Sequence, residues 1–217
     1  MNRYHQLILS NMAWSVEKKQ DDPAYFERHM GPQTPVFLWI GSTDSRLDPE
    51  RITRSPPGSL HIHQNFGNLV SETDLNLMAT LDHAINTLGV RHILLCGTYD
   101  CPAMTHVLTD DLDEGPVKDW LAPARDVLRN HRDEIHSQSS PSQKVARLVE
   151  CNVRDQLVRL ARMDIVQKTF AGTADLWLHG WVYDLRDGLI KRLMEIDRNT
   201  DLDAVPRPDN VLYAADS

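Results

Sequence analysis

The sequence contains two apolar runs that each end at a glycine followed by small polar and charged residues. The first run, FLWIGSTDSR, covers residues 37–46, and the second, HILLCGTYDC, covers residues 92–101. A short apolar run that ends in this way is typical of a buried parallel strand. In open α/β sheets, ligands gather at the carboxyl ends of such strands. We therefore expect the two polar loops to lie side by side and to form the functional site.

Further strand patterns alternate with helical patterns along the chain. Strands are predicted at about 35–41, 60–63, 92–96, 174–179 and 189–196. Helices are predicted at about 48–54, 71–88, 102–108, 117–135 and 141–163. Strands that alternate with helices favour a mostly parallel sheet covered on both faces. The predicted fold class is α/β, with a central sheet of four to five strands flanked by helices.

The first part of the chain has no strand pattern and predicts a helical arm. Residues 1–30 read as two short amphipathic helices, with Asp22 capping the second and Pro23 at its first position. We expect this arm to pack on the core or on a second subunit. The whole chain, 1–217, is expected to be a single domain, with a peripheral tail at 199–217.

Composition and charge exclude several classes of function. The chain has 217 residues and a formal net charge of -8, which argues against non-specific nucleic-acid binding and against docking on an anionic membrane. No apolar run is long enough to span a membrane, and the N-terminus lacks the apolar core of a secretory signal. The odd count of three cysteines favours a reducing compartment. We expect a cytoplasmic protein.

Five stretches of the sequence together resemble one known family. They are WIGSTDSR at 39–46, HQNFGNLV at 63–70, CGTYDC at 96–101, HGWVY at 179–183 and DGL at 187–189. In this order they are similar to the β-class carbonic anhydrases of the bacterial type. The resemblance runs from the helical arm to about residue 196, and it implies the same α/β fold and association into a dimer or tetramer.

The resemblance also implies a set of zinc ligands, which this sequence matches only in part. The family carries Cys-x-Asp-x-Arg after its first strand and His-x-x-Cys after its third, and its zinc binds two cysteines and one histidine. Asp44, Arg46 and Cys101 occupy matching positions. Ser42 stands at the first cysteine position and Thr98 at the histidine position. The chain therefore resembles a divergent member that lacks two of the three permanent ligands.

These two replacements lead us to expect no zinc and no efficient hydration of CO2. A serine or threonine hydroxyl keeps its proton near pH 7, so it is a poor substitute for a thiolate or an imidazole. Without a bound metal, no group is evident that would lower the pKa of a water molecule. A rebuilt metal site from Asp44, Asp100 and Cys101 is the alternative. In that case zinc or a harder ion would be the cofactor.

Two groups at the predicted site allow both a functional and a structural interpretation. Asp44 and Arg46 can form a bidentate pair, which would either orient an anion or simply hold the loop. Cys101 precedes a predicted helix N-terminus, where a thiol can become reactive, and the alternative is an inert thiol.

Further positions suggest a pocket whose shape differs from that of the family. The candidate pocket residues are Phe66, His83, Asp100 and Pro102. Asp100 stands where the family usually has glycine, and Pro102 replaces a glycine and offers no backbone N–H.

Three functions remain open from the sequence. The first is a metal-free pseudoenzyme that binds a small anion, a carboxylate-like ligand or a partner subunit. The second is an enzyme with other chemistry in the same pocket, using Cys101 or the pair of Asp44 and Arg46. The third is a residual carbonic anhydrase, a lyase that interconverts CO2 and bicarbonate, with a rebuilt metal site.

Overall fold

The computed structural model describes residues 2–44, 46–207 and 212–213. The chain divides into two compact units, Met1–Thr34 and Pro35–Ser217. Ser45, in the first polar loop, and most of the end of the tail lie outside the described residues. No helix in the described part is long and apolar enough to cross a membrane.

The first unit contains one long helix, α1, Arg3–Asp21, and a 3-10 turn, Glu27–His29. The prediction of two short helices is therefore wrong. Asp22 ends α1 instead of capping a second helix, and its side chain accepts the backbone N–H of Ala24 at 3.1 Å. This hydrogen bond turns the chain directly at Pro23, which is an ordinary use of aspartate in turns.

The second unit is built on a five-stranded sheet formed by the described residues. The strands are β1 Phe37–Ser42, β2 Leu60–Asn65, β3 His92–Thr98, β4 Trp177–Tyr183 and β5 Ile190–Ile196. Their order across the sheet is β2-β1-β3-β4-β5. The first four are parallel, and β5 pairs antiparallel with β4 at the edge. This topology confirms the predicted fold class.

Helices connect the strands and cover the sheet. They are α2 Pro49–Thr53, α3 Leu75–Asp82, α4 Pro102–Thr109, α5 Pro116–Trp120, α6 Ala122–Asn130, α7 Arg132–His136, α8 Pro141–Arg162 and α9 Asp164–Ala171. A π-helical turn, His83–Thr87, continues α3.

The helices differ from the sequence predictions at three places. The helix predicted at 71–88 begins only at Leu75, because the Asp74 side chain caps it. The segment predicted as one helix at 117–135 is three short helices, separated at Leu121 and at His131. Pro123 lies in the first turn of α6, where its missing N–H costs no hydrogen bond, so it favours the start of a new helix there. Helix α9 was not predicted.

Helix α8 lies very close to β3. Its N-terminus is capped by Ser140, whose hydroxyl accepts the N–H of Gln143 at 3.2 Å. A Cβ placed on Gly97 of β3 would lie 2.7 Å from Val153 Cγ2 and 3.0 Å from Val149 Cγ1. Glycine at this position therefore allows a contact between strand and helix that no other residue would allow.

The tail, expected to be peripheral, buries two of its described residues. Val205 and Tyr213 both pack into the main hydrophobic core. Glu150, which is fully buried on α8, accepts the backbone N–H of Leu212 at 2.6 Å. The tail is therefore attached to the core at these points.

We predict that Gly97→Ala lowers the free energy of unfolding by about 1 to 3 kcal/mol, because the added methyl group overpacks the contact with α8. Urea denaturation measures the change. Gly31→Ala is the matched control, since a Cβ at Gly31 meets no atom within 4 Å. Equal stability of the two variants would contradict this account of the contact.

Candidate functional site

The carboxyl ends of β1 and β3 bring the two polar loops together, as the sequence predicts. Ser42 is the last residue of β1 and Thr98 is the last residue of β3, and both are buried. The strands are parallel neighbours with Gly41 opposite Cys96, so their ends lie side by side. Ser42 and Thr98, which stand where the family has zinc ligands, therefore lie at the same edge of the sheet.

Ser42 contacts the second loop and the turn after β2. Its Oγ lies 3.7 Å from the Sγ of Cys101, within hydrogen-bond distance for sulfur, and it accepts the backbone N–H of Gly67 at 3.3 Å. Cys101 precedes the first turn of α4 and is only 2% exposed. The hydroxyl and the thiol thus hold each other in a buried contact.

The turn that contacts Ser42 has an unusual backbone and is fixed from behind. Gly67 has φ +89°, and a Cβ there would lie 3.2 Å from the Cβ of Ala103 in α4. Its carbonyl accepts the side-chain N–H of Asn152 on α8 at 3.1 Å. The next turn of α8 places Gln156, whose Oε1 accepts the N–H of Val70 at 2.9 Å.

Asp44 and Arg46 form the bidentate pair that the sequence predicts. Arg46 donates from Nε to Oδ1 of Asp44 at 2.9 Å and from Nη2 to Oδ2 at 2.6 Å, and its backbone N–H also reaches Oδ1 at 3.0 Å. The Asp44 side chain is 6% exposed, whereas that of Arg46 is 49% exposed. Hydrogen bonds from Arg46 lower the pKa of Asp44, and they outweigh burial, which raises it. Asp44 is therefore held ionised.

Asp100 adds a second negative charge near the same guanidinium. It has φ +59°, in the left-handed region, at the position where glycine would be least strained. After the hydrogen bond and charge of Asp44, the charge of Asp100 also helps to raise the pKa of Arg46. Arg46 therefore faces acidic groups from both loops.

The remaining candidate pocket residues are distributed over two regions. Pro102 lies in the first turn of α4. Phe66 belongs to the turn after β2, and its carbonyl accepts the indole N–H of Trp120 at 2.7 Å. His83 is exposed, and its ring lies 5.8 Å from that of His61, near the start of β2 and away from the strand ends.

Three potential metal ligands come together elsewhere in the second unit. Among the described residues, His131, Glu134 and Cys151 place one ligand atom each within 4.8 Å of the others. Asp44, Asp100 and Cys101 are not found as such a group in that part of the chain. No sequence pattern led us to predict the cluster of His131, Glu134 and Cys151. The His-x-x-Glu spacing was a visible signal, but its distance from Cys151 in sequence concealed the contact.

The comparisons with known proteins agree with this fold. A family model described as carbonic anhydrase matches residues 37–190. A carbonic anhydrase of Emericella nidulans is 34% identical over 88% of this chain and 83% of its own length, and one of Pseudomonas aeruginosa is 34% identical over 74% of each chain.

Two solved structures are similar over almost the entire chain. A tetrameric β-carbonic anhydrase of Sordaria macrospora has a TM-score of 0.85 at 32% identity, and the match covers 90% of this chain and all of that one. A Coccomyxa β-carbonic anhydrase in complex with acetazolamide has a TM-score of 0.83 at 32% identity, over 91% and 93% of the two chains. The chain belongs to the β-carbonic anhydrase family.

We predict that Arg46→Gln lowers the free energy of unfolding at pH 7 by about 1 kcal/mol, because Asp44 then stays buried without a charged partner. The half-exposed position of Arg46 keeps this value small. Since Arg46 lowers the pKa of folded Asp44, its contribution is complete above about pH 4, the ordinary pKa of aspartate, and is lost as the pH falls through the folded pKa. The gap between variant and wild type should narrow as the pH falls below about 4.

Urea denaturation from pH 3 to pH 7 measures this gap. Arg28→Gln is the control, because Arg28 pairs with Asp22 at the surface of the first unit, where solvent screens the charges. It should change stability little at any pH. A gap for Arg46→Gln that does not depend on pH would contradict the role given to Asp44.

Proposed function

We propose that this protein is a carbonic-anhydrase-like protein whose pocket does not hold zinc in the manner of its family, and that the pocket binds a small anion at Arg46. The proposal is supported by one observation: the last residue of β1 is Ser42 and the last residue of β3 is Thr98, so both strands end in a hydroxyl residue. On this proposal the protein is a binding or regulatory relative of the enzymes, not an efficient CO2 hydratase.

The donor atoms at the strand ends do not fit a zinc ion. Zinc takes about four ligands, with thiolate, imidazole and carboxylate as the usual protein donors. Cys101 offers one such donor. The Ser42 hydroxyl is already engaged by Cys101 and Gly67, and both oxygens of Asp44 are engaged by Arg46. The chemistry of a zinc-bound water therefore has no support from these residues.

The guanidinium of Arg46 is the group that supports anion binding. Asp44 holds it through Nε and Nη2, so its plane is fixed, while Nη1 has no hydrogen bond to the residues that the structure describes. Half of the side chain is exposed at the mouth of the site. A planar anion such as bicarbonate or a carboxylate matches the donor geometry of arginine. Asp100 opposes such a ligand by its charge, so the expected affinity is modest.

A second candidate function is catalysis at Cys101. The observation that favours it is the contact between its thiol and the Ser42 hydroxyl at the start of α4. The 2% exposure of Cys101 weighs against it, because a nucleophile must meet its substrate. The residual carbonic anhydrase, with a metal site rebuilt from Asp44, Asp100 and Cys101, is the third candidate.

We predict that restoring the family ligands by Ser42→Cys together with Thr98→His creates a zinc site that the unmodified pocket lacks. Both proteins carry Cys151→Ser, which removes a ligand from the other cluster, so that the measured zinc reports on the pocket alone. After purification without chelators, the restored protein should contain close to one zinc per chain, and the Cys151→Ser parent much less. Elemental analysis measures zinc, and stopped-flow CO2 hydration shows whether activity follows it.

Ser42→Cys alone is the matched control and should gain little zinc, because two strong ligands do not complete the site.

Bicarbonate should raise the thermal midpoint of the parent but not of its Arg46→Gln variant. Asp100→Gly should increase this shift, because it removes a charge of the same sign as the anion. Near-stoichiometric zinc in the Cys151→Ser parent that disappears with Cys101→Ser would overturn the proposal. A bicarbonate shift that survives Arg46→Gln would overturn the anion site.

We also propose that the chain associates with itself. The Sordaria macrospora relatives are tetrameric. Helix α1 supports this proposal, because its apolar side chains are exposed in the single chain, notably Tyr4, Leu7, Ile8 and Met12. Exposed apolar residues in such number mark surfaces that other proteins cover. Light scattering should give a dimer or a tetramer, and a monomer at micromolar concentration would contradict the proposal.

A further inference from the structure

Three buried or partly buried side chains meet where the short helices α6 and α7 pack on α8. His131 lies between α6 and α7, Glu134 lies on α7, and Cys151 lies on α8. Their nearest donor atoms all lie within 4.8 Å of one another. The side chain of His131 is 2% exposed and Cys151 is fully buried. This histidine, glutamate and cysteine are chemically a set of zinc ligands.

A hydrogen bond from behind fixes the orientation of the histidine ring. The Nε2 of His131 lies 3.0 Å from Oδ2 of Asp155 on α8. Arg154 donates to the other oxygen of Asp155 at 2.6 Å and so holds this carboxylate in place. A carboxylate acceptor at Nε2 favours the tautomer whose Nδ1 carries the lone pair. Histidine ligands of metals are commonly oriented by a carboxylate in this way.

The opposite ring nitrogen points into the cluster without a hydrogen bond. The Nδ1 of His131 is buried and has no hydrogen-bond partner among the described residues. It lies 3.5 Å from Oε2 of Glu134. Buried polar atoms are almost always satisfied, so an unsatisfied one in a native protein needs an explanation. A cation between Nδ1 and Oε2 provides one.

Arg147 occupies one oxygen of Glu134, whereas the other oxygen has only a longer contact with an arginine. Arg147 pairs with Oε1 of Glu134 and also with Glu150, at 2.8 Å. Arg207 approaches Oε2 only to 3.7 Å, and its side chain is more than half exposed. Without a cation, the same residues form a polar network that ties α7 to α8. The unsatisfied Nδ1 is the feature that this simpler account leaves unexplained.

We propose that His131 Nδ1, Glu134 Oε2 and Cys151 Sγ form a binding site for Zn²⁺ or a similar divalent transition metal, with a water molecule as the fourth ligand. Tetrahedral zinc places nitrogen and sulfur ligands about 3.5 Å apart. His131 Nδ1 and Glu134 Oε2 already lie 3.5 Å apart, so only the longer separations, up to 4.8 Å, have to shorten by about 1 Å through side-chain rotation. The site lies apart from Ser42 and Cys101, and it does not depend on the function proposed for that pocket.

Cobalt substitution tests the site by a signal specific to its sulfur. The full chain with Cys101→Ser is prepared free of metal and titrated with Co²⁺. It should bind one equivalent and show a near-ultraviolet charge-transfer band from thiolate to cobalt, with the visible absorption of a tetrahedral site. Adding Zn²⁺ should abolish both signals. The variant Cys101→Ser with Cys151→Ser should lose the charge-transfer band entirely.

A second variant separates loss of a ligand from loss of the fold. Glu134→Gln keeps the size of the side chain and a hydrogen-bonding group, and it should weaken Co²⁺ binding at least about tenfold, with the sulfur band retained at saturation. Circular dichroism and the thermal midpoint without metal monitor folding. Absence of the band in the folded Cys101→Ser protein would overturn the proposal, and so would a band that survives Cys151→Ser. If the Cys101→Ser protein shows the charge-transfer band but Glu134→Gln leaves its Co²⁺ affinity unchanged, the assignment of Glu134 as a ligand is wrong.

Discussion

The close approach of α8 to β3 is the contact on which the rest of the second unit depends. Gly97 and Gly180 lie under this helix, and a Cβ on either would meet valine side chains of α8 within 3.2 Å. Side chains on the other faces of α8 can then form hydrogen bonds with neighbouring segments. Asn152 binds the turn after β2, and Glu150 binds Tyr99 through a 2.6 Å hydrogen bond. The geometry of the strand ends is thus set from behind by one helix.

The sheet could be predicted because its signals are local. The two central strands, β1 and β3, are each a buried apolar run followed by small polar residues, so they are visible in the sequence. The errors arose where a local signal has two possible structural roles. Asp22 before Pro23 is a good start for a helix, but here it ends one. The segment 117–135 has a continuous helical pattern, although the chain leaves the helical conformation at Leu121 and at His131.

The site was predictable to the extent that it follows from strand topology. Asp44 and Arg46 are two residues apart, so their pairing required no knowledge of the fold. The contact of Ser42 with Cys101 followed from the parallel neighbours β1 and β3. By contrast, the hydrogen bond from Gly67 to Ser42 and the cluster around His131 join segments that no pattern connects. Only the packing of the short helices on α8 brings that cluster together.

The hydrogen bonds around Ser42 have a consequence for how the chain matures. Ser42 at the end of β1 forms hydrogen bonds with Gly67 and Cys101, which come from two other segments. Where a metal ion joins such segments, the free energy of ion binding contributes to folding, and the newly made chain depends on the supply of the ion. On the function proposed above, these hydrogen bonds take the place of the ion, so the segments would close once the strands have assembled. The shape of the site would then be set by the polypeptide and not by the metal status of the cell.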